Sequence, residues 1–282
     1  MNLLIIAHLT FREAARRRIL LAALLLGLVF LTVYGLGFHF IMRDIEASIG
    51  STNLITLNEI RNFLLMAGMY VVNFLTAMMT VLTSVDTLSG EIASGTIQTV
   101  VAKPIRRWEV LAGKWLGFGI MITLYLLLMG GGVMGLVFLR SGYVAPHPWR
   151  ALELLWLNAL ILLSVSLLGG TRLSTLANGV LVFGLFGIAF IGGWIEQIGS
   201  FMNNTAASQT ALNIGVITSL MLPSEALWKR AAHELQSPLV AALGFSPFAS
   251  SIYPSLMMIL YALLYLGAAL LFAIHLFNRR DL

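Results

Sequence analysis

Six long apolar runs, none with a charged residue in its middle, constrain this chain more than any other feature. They fall near 19–42, 63–85, 115–139, 151–169, 176–195 and 256–277. As a helix, roughly 20 apolar residues cross a hydrocarbon layer of about 30 Å. Wherever lipid touches the chain, the backbone must satisfy its own donors and acceptors, so the runs are expected to be helices. Composition closes the soluble alternative. Of 282 residues, 59% are hydrophobic and only 10% charged, whereas an ordinary soluble domain carries about 25% charged residues. The expected fold class is an all-α integral membrane protein with six transmembrane helices, in a single domain over 1–282. The run after Arg18 is too long for a secretory signal core, and no small-residue cleavage site follows it.

Six spans put both termini on one side, and the basic residues indicate which. Eleven fall on the side of the termini: Arg12, Arg16, Arg17, Arg18, Lys103, Arg106, Arg107, Lys114, Arg172, Arg279 and Arg280. Six fall on the other: Arg43, Arg61, Arg140, Arg150, Lys229 and Arg230. With five acidic residues inside and seven outside, the net charge of +5 divides into +6 and −1. The excess of Lys and Arg assigns the termini, and the connection between the second and third spans, to the cytoplasm.

Two segments outside the spans read as helices. Residues 1–18 mix Leu3, Leu4, Ile5, Ile6, Leu9 and Phe11 with a basic end, which suits an amphipathic helix on the cytoplasmic face. The outer stretch, 197–255, holds a helical pattern up to Leu235, with Ser224 as N-cap and Glu225 in the first turn. Trp228 on one side of it and Lys229, Arg230 and Glu234 on another predict a helix lying at the outer interface.

Catalytic chemistry finds little to stand on. Cysteine is absent, which removes disulfides, thiolate metal sites and a thiol nucleophile. The Gly113-Lys114 pair has Trp108 where a phosphate-cradling loop needs its first glycine. His8, His39, His147, His233 and His275 are scattered along the chain, so no catalytic, cofactor or metal site is expected. The methionines, among them Met66, Met69, Met78 and Met79, read as lipid-facing or gap-filling side chains. Asp86 and Glu196 sit at span ends within a turn of water, where headgroup contact accounts for them. Asn73 and Asn158 suit interhelical hydrogen bonds. Gly131 and Gly135 allow close helix approach, either for packing within one bundle or for a sliding or dimer-facing surface. Together with Glu196 they are candidate gate or packing residues.

The connection 89–114 is the most unusual part of the chain. Residues 96–102 are short and mostly apolar, and Pro104 ends them, because proline cannot continue a helix. A second short helix over 106–116 is expected to lead into the third span. An apolar helix bracketed by turn residues and cations has no core of its own. It needs a groove, either in the headgroup layer or on a cytosolic partner.

Glu91, Gly95-Thr96, Pro104, Arg107 and Gly113-Lys114 in this order resemble the signature of ABC transporter permeases of the type-2 exporter family. The N-terminal helix, the six spans, the outer helix and the basic C-terminus are similar too. The resemblance implies that 89–114 holds a coupling helix that docks on an ATPase, with Glu91, Gly95, Thr96, Pro104, Arg107, Gly113 and Lys114 as coupling residues. It further implies a second permease, in a homodimer before a heterodimer, and two ATP-binding-cassette ATPase subunits, which carry the ATP and Mg. The setting would be the prokaryotic cell (inner) membrane. A permease forming the translocation path of an exporter is the first expectation. The alternative is a mechanotransmitter or scaffold, driven by an ATPase and acting on an extracytoplasmic accessory protein without moving cargo. Nothing in the chain points to nucleic acid.

Overall fold

The computed structural model describes residues 2–16, 18–49, 53–96, 105–200, 202, 206–239, 248 and 254–280. These form nine long helices: α1 (Asn2–Arg16), α2 (Arg18–Ile49), α3 (Leu54–Ala93), α4 (Arg107–Ser141), α5 (Pro148–Gly170), α6 (Thr175–Ser200), α7 (Ala206–Met221), α8 (Ser224–Leu235) and α9 (Leu256–Asn278). Six of them, α2 to α6 and α9, are long and apolar enough to cross a membrane. The protein is an all-α membrane protein with six apolar spanning helices.

Each span outruns the apolar run that announced it. At 40 residues, α3 is roughly 60 Å long at 1.5 Å per residue, about twice the hydrocarbon thickness. Its N-terminus is capped by Asn53, whose Oδ1 accepts from the Thr56 amide at 3.5 Å. At its other end Gly95 has φ +72°, the left-handed geometry that closes helices and that glycine adopts without a Cβ penalty. The separate helix expected over 106–116 does not exist; α4 runs unbroken from Arg107 through the membrane.

The bundle is built around α5, which packs against α3, α4, α6, α8 and α9. It can be central because its polar side chains are small and find partners. Asn158 Nδ2 donates to Asn73 Oδ1 at 3.0 Å, and Ser166 Oγ accepts from Ser84 at 2.8 Å. Ser164 Oγ accepts from the Trp115 indole at 2.9 Å. Met66, Met69 and Met79 fill the interior beside it, whereas Met257 faces outward. The apolar side chains of α2 and α9, such as Leu25, Val33, Leu264 and Leu271, stay exposed, as lipid-facing residues must be.

The outer stretch departs most from expectation. The α7 helix, unrecognised in the sequence, runs back along α6, and α8 turns away from it at 106°. The turn residue Pro223, not Ser224, occupies the N-cap position. Nor is α8 a helix with a free charged face: Trp228, Lys229, Glu225 and Ser224 are all buried against the bundle. Lys229 and Glu234 are tolerated there because Glu196 of α6 and Arg150 of α5 are their partners, which a pattern read within α8 alone does not reveal.

Both chain ends lie at the face where α3 ends and α4 begins. One side of α1, made by Ile6, Ala7, Thr10 and Ala14, is buried. It crosses α4 so closely that a Cβ on Gly113 would sit 2.7 Å from Ile6, and one on Gly117 2.7 Å from the Ala7 carbonyl. Gly117→Val should therefore lift α1 from α4. Hydrogen exchange over 2–16 should quicken in that variant while exchange in α9 stays unchanged.

Candidate functional site

The connection between α3 and α4 is held at its base by charge. Lys114 Nζ, about two turns into α4, pairs with Glu91 Oε1 in the last turn of α3, and Lys114 is only 5% exposed. Separating a pair at such depth would strand a charge away from water, so the contact ties the end of α3 to the start of α4 across 23 positions of sequence. At the start of α4, the Arg106 amide donates to Glu109 Oε2 at 3.0 Å. This satisfies one of the donors a helix start leaves open.

Arg107 points the other way. Its Nη1 donates to the Asn278 carbonyl at 3.3 Å and to the Arg280 carbonyl. Arg280 in turn donates to the carbonyl of Thr171, between α5 and α6. The Arg107 guanidinium thus occupies carbonyls at the C-terminal end of α9, and that of Arg280 occupies one at the C-terminal end of α5, where helices leave carbonyls without helical partners. Beneath them, Ile6, Leu88, Val110, Leu111, Ala273 and Phe277 form an apolar platform shared by α1, α3, α4 and α9. Thr96, exposed at the rim, shares a 2.9 Å hydrogen bond with the Ser94 hydroxyl. Pro104 and the segment 97–104 that carries it lie outside the described residues.

Asp86 and Glu196 each find a partner within the protein. Asp86 accepts from the Thr175 hydroxyl at 3.1 Å. At the opposite face, Glu196 of α6 pairs with Lys229 of α8 at 2.7 Å. Two glycines make room for the acidic side chains: a Cβ on Gly215 would lie 2.2 Å from Glu196 Oε2, and one on Gly193 2.0 Å from Glu225 Cγ. Burial pushes the Glu225 carboxyl up to about 7; Lys229 opposes the rise and Glu196 adds to it. Gly131 and Gly135 meet nothing, since a Cβ on either would have no neighbour within 4 Å. They line an apolar groove of about 680 Å³ between α2 and α4.

The profile of the ABC-2 family of transporter proteins matches residues 4–282. This chain belongs to the ABC-2 family. Curated proteins give no match to it. It is a membrane permease and has no catalytic role of its own, and membership implies ATPase partner subunits and a surround of lipid. Among the described residues, no group of three or more His, Asp or Glu could hold a metal ion.

Glu91 and Lys114 of this permease each stand out in the sequence, but nothing in their spacing joins them. Small polar groups that knit the same end stand out less. Asn178 Nδ2 donates to the Val85 carbonyl at 3.1 Å and to the Ser166 carbonyl at 2.9 Å, bridging three helices. Its only signal was an amide within an apolar run, which spacing could not assign to a partner.

Two outcomes test these clusters. Glu91→Gln should cost about 3 kcal/mol, the lower end of what removing one member of a buried pair costs. The double variant Glu91→Gln/Lys114→Met should recover most of that in thermal unfolding. For Glu225, the folded state holds a proton that the unfolded chain releases between about pH 4.5 and about pH 7. Stability should fall as pH rises through that window. Thermal midpoints measured across it should fall for the native chain and stay flatter for Glu225→Gln.

Proposed function

We propose that this permease forms the translocation path of an ATP-driven exporter, and that two separate ATPase subunits dock on the 89–114 segment and drive it. The observation that carries this reading is the buried Glu91–Lys114 pair, which joins the end of α3 to the start of α4 on either side of that segment. A push on 96–102 enters two helices that both cross the membrane, through a base braced by Gly95, Arg107 and the α1 contact at Gly113. Such a push changes the equilibrium only if the ATPases contact the segment differently in their two states. ATP and Mg belong to those subunits.

Other features support the same reading. The exposed side of α1 carries Leu4, Ile5 and Leu9, which suits a helix lying in the cytoplasmic headgroup layer. The uncovered groove at Gly131 and Gly135 suits the face of a second permease copy, with the apolar route for cargo opening between the two. Glu196 would hold α8 closed over the outer end of that route. The excess of basic residues near the termini favours a cytoplasmic location for them in a prokaryotic inner membrane. Transport is favoured over mechanotransmission because α8 folds into the bundle instead of projecting toward a partner.

The absence of cysteine makes the docking test direct. Thr96→Cys should cross-link to the ATPase subunit in native membranes, and Gly142→Cys, beyond the far end of α4, should not. Arg107→Ala should lower ATP hydrolysis by the intact complex while leaving the amount of inserted permease unchanged. Cross-linking from position 142 in place of 96 would sink the docking assignment.

A further inference from the structure

A groove of about 510 Å³ opens between α5, α8 and α9 at the face opposite the chain termini, and the functional reading above does not use it. Three helical stripes converge on it. From α5 come Arg150, Glu153, Leu154 and Leu157, and from α9 come Leu256, Ile259 and Leu263. Both sets follow the spacing of three and four residues that places side chains on one face. Arg230 and Glu234 of α8 close the third wall.

The groove is polar at one end and apolar at the other, in the order a bilayer imposes. Arg150 and Glu153 stand in the first turns of α5, and Leu157 lies roughly 10 Å deeper along the axis. Leu256 likewise begins α9, and Leu263 lies further in. The rim is charged and the depth is apolar, leucine and isoleucine with Trp156 among them, as an amphiphile with a short charged head and a hydrocarbon tail requires.

The rim charges narrow the headgroup. Glu234 is engaged on both oxygens, with Arg230 at 3.0 Å and Arg150 at 3.6 Å. Arg150 remains 67% exposed in its side chain. Glu153 is exposed and makes no ion pair among the described residues. Two arginines and two carboxylates leave the rim without net charge, so a simple anion would meet Glu153 as well as Arg150. A headgroup with a phosphate and a primary ammonium satisfies both. A quaternary ammonium offers Glu153 no N–H donor. An aromatic cage would be its usual site, and among the described residues Trp156 is the only aromatic side chain lining the groove.

We propose that this groove is a phospholipid site selective for an ethanolamine headgroup, with the phosphate on Arg150, the ammonium on Glu153 and an acyl chain along Leu154, Leu157, Ile259 and Leu263. The bound lipid would seal α8 and α9 against α5 from the bilayer side.

The test uses the full chain in nanodiscs made from equal parts of phosphatidylethanolamine, phosphatidylglycerol and phosphatidylcholine, with retained lipid counted by native mass spectrometry. Phosphatidylethanolamine should be retained about fivefold over phosphatidylcholine, a ratio within reach of one charge-assisted contact. Glu153→Gln should abolish that preference, and Arg150→Gln should lower retention of all three lipids. Both side chains are exposed, so folding is expected to survive, and circular dichroism checks it. Equal retention of the three lipids by the native chain (annular lipid only) would overturn the proposal. So would a lead for phosphatidylglycerol, or a preference that persists in Glu153→Gln.

Discussion

A polar group inside hydrocarbon must find its partner within the protein, and the rest of this structure follows from that requirement. It forces the backbone into helices and then decides which helices can touch. Asn158 meets Asn73, Ser166 meets Ser84, and Asn178 reaches carbonyls on two other helices. Each pairing joins α5 or α6 to α3, so the centre of the bundle is defined where polar groups match. Apolar contact alone discriminates poorly there, because lipid tails are as apolar as leucine.

The same requirement, applied to full charges, operates at the two ends of the bundle. At the face of the termini it yields the Glu91–Lys114 pair and the arginine contacts to carbonyls near the C-terminus. At the opposite face it yields Glu196–Lys229, with Glu225 buried beside them. A buried pair contributes little net stability when both members are counted against an apolar replacement, yet it is costly to separate. Such contacts suit joints that must move as units. One joins the two helices that flank the connection, and the other holds α8 in the bundle.

Much of the fold was legible from residue order. The six runs became six spanning helices because the length of an apolar stretch measures bilayer thickness directly. Asn73 and Asn158 were recognisable as interhelical partners because neither could be tolerated alone. The α8 helix was legible as a helix but not in its surroundings: its pattern sets Trp228 and Lys229 on different sides, while both are buried, Lys229 against Glu196, 33 positions earlier. The α7 helix was missed because its stripe of Ser, Thr and Gly does not read as a span. That stripe packs on α6, where small side chains let backbones approach.

Taken by itself, the sequence determined that this chain lives in a membrane, crosses it six times, and carries a charged, turn-rich connection between its second and third spans. These properties depend on local chemistry, namely transfer of side chains to hydrocarbon and the backbone preferences of Gly95 and Pro104. Only the tertiary structure decided which scarce charges meet. It paired Glu91 with Lys114 and Glu196 with Lys229, turned Gly113 into the seat of α1, and left Gly131 and Gly135 uncovered. Partners so far apart along the chain are chosen by how helices pack, and helix packing leaves no period in the sequence to read.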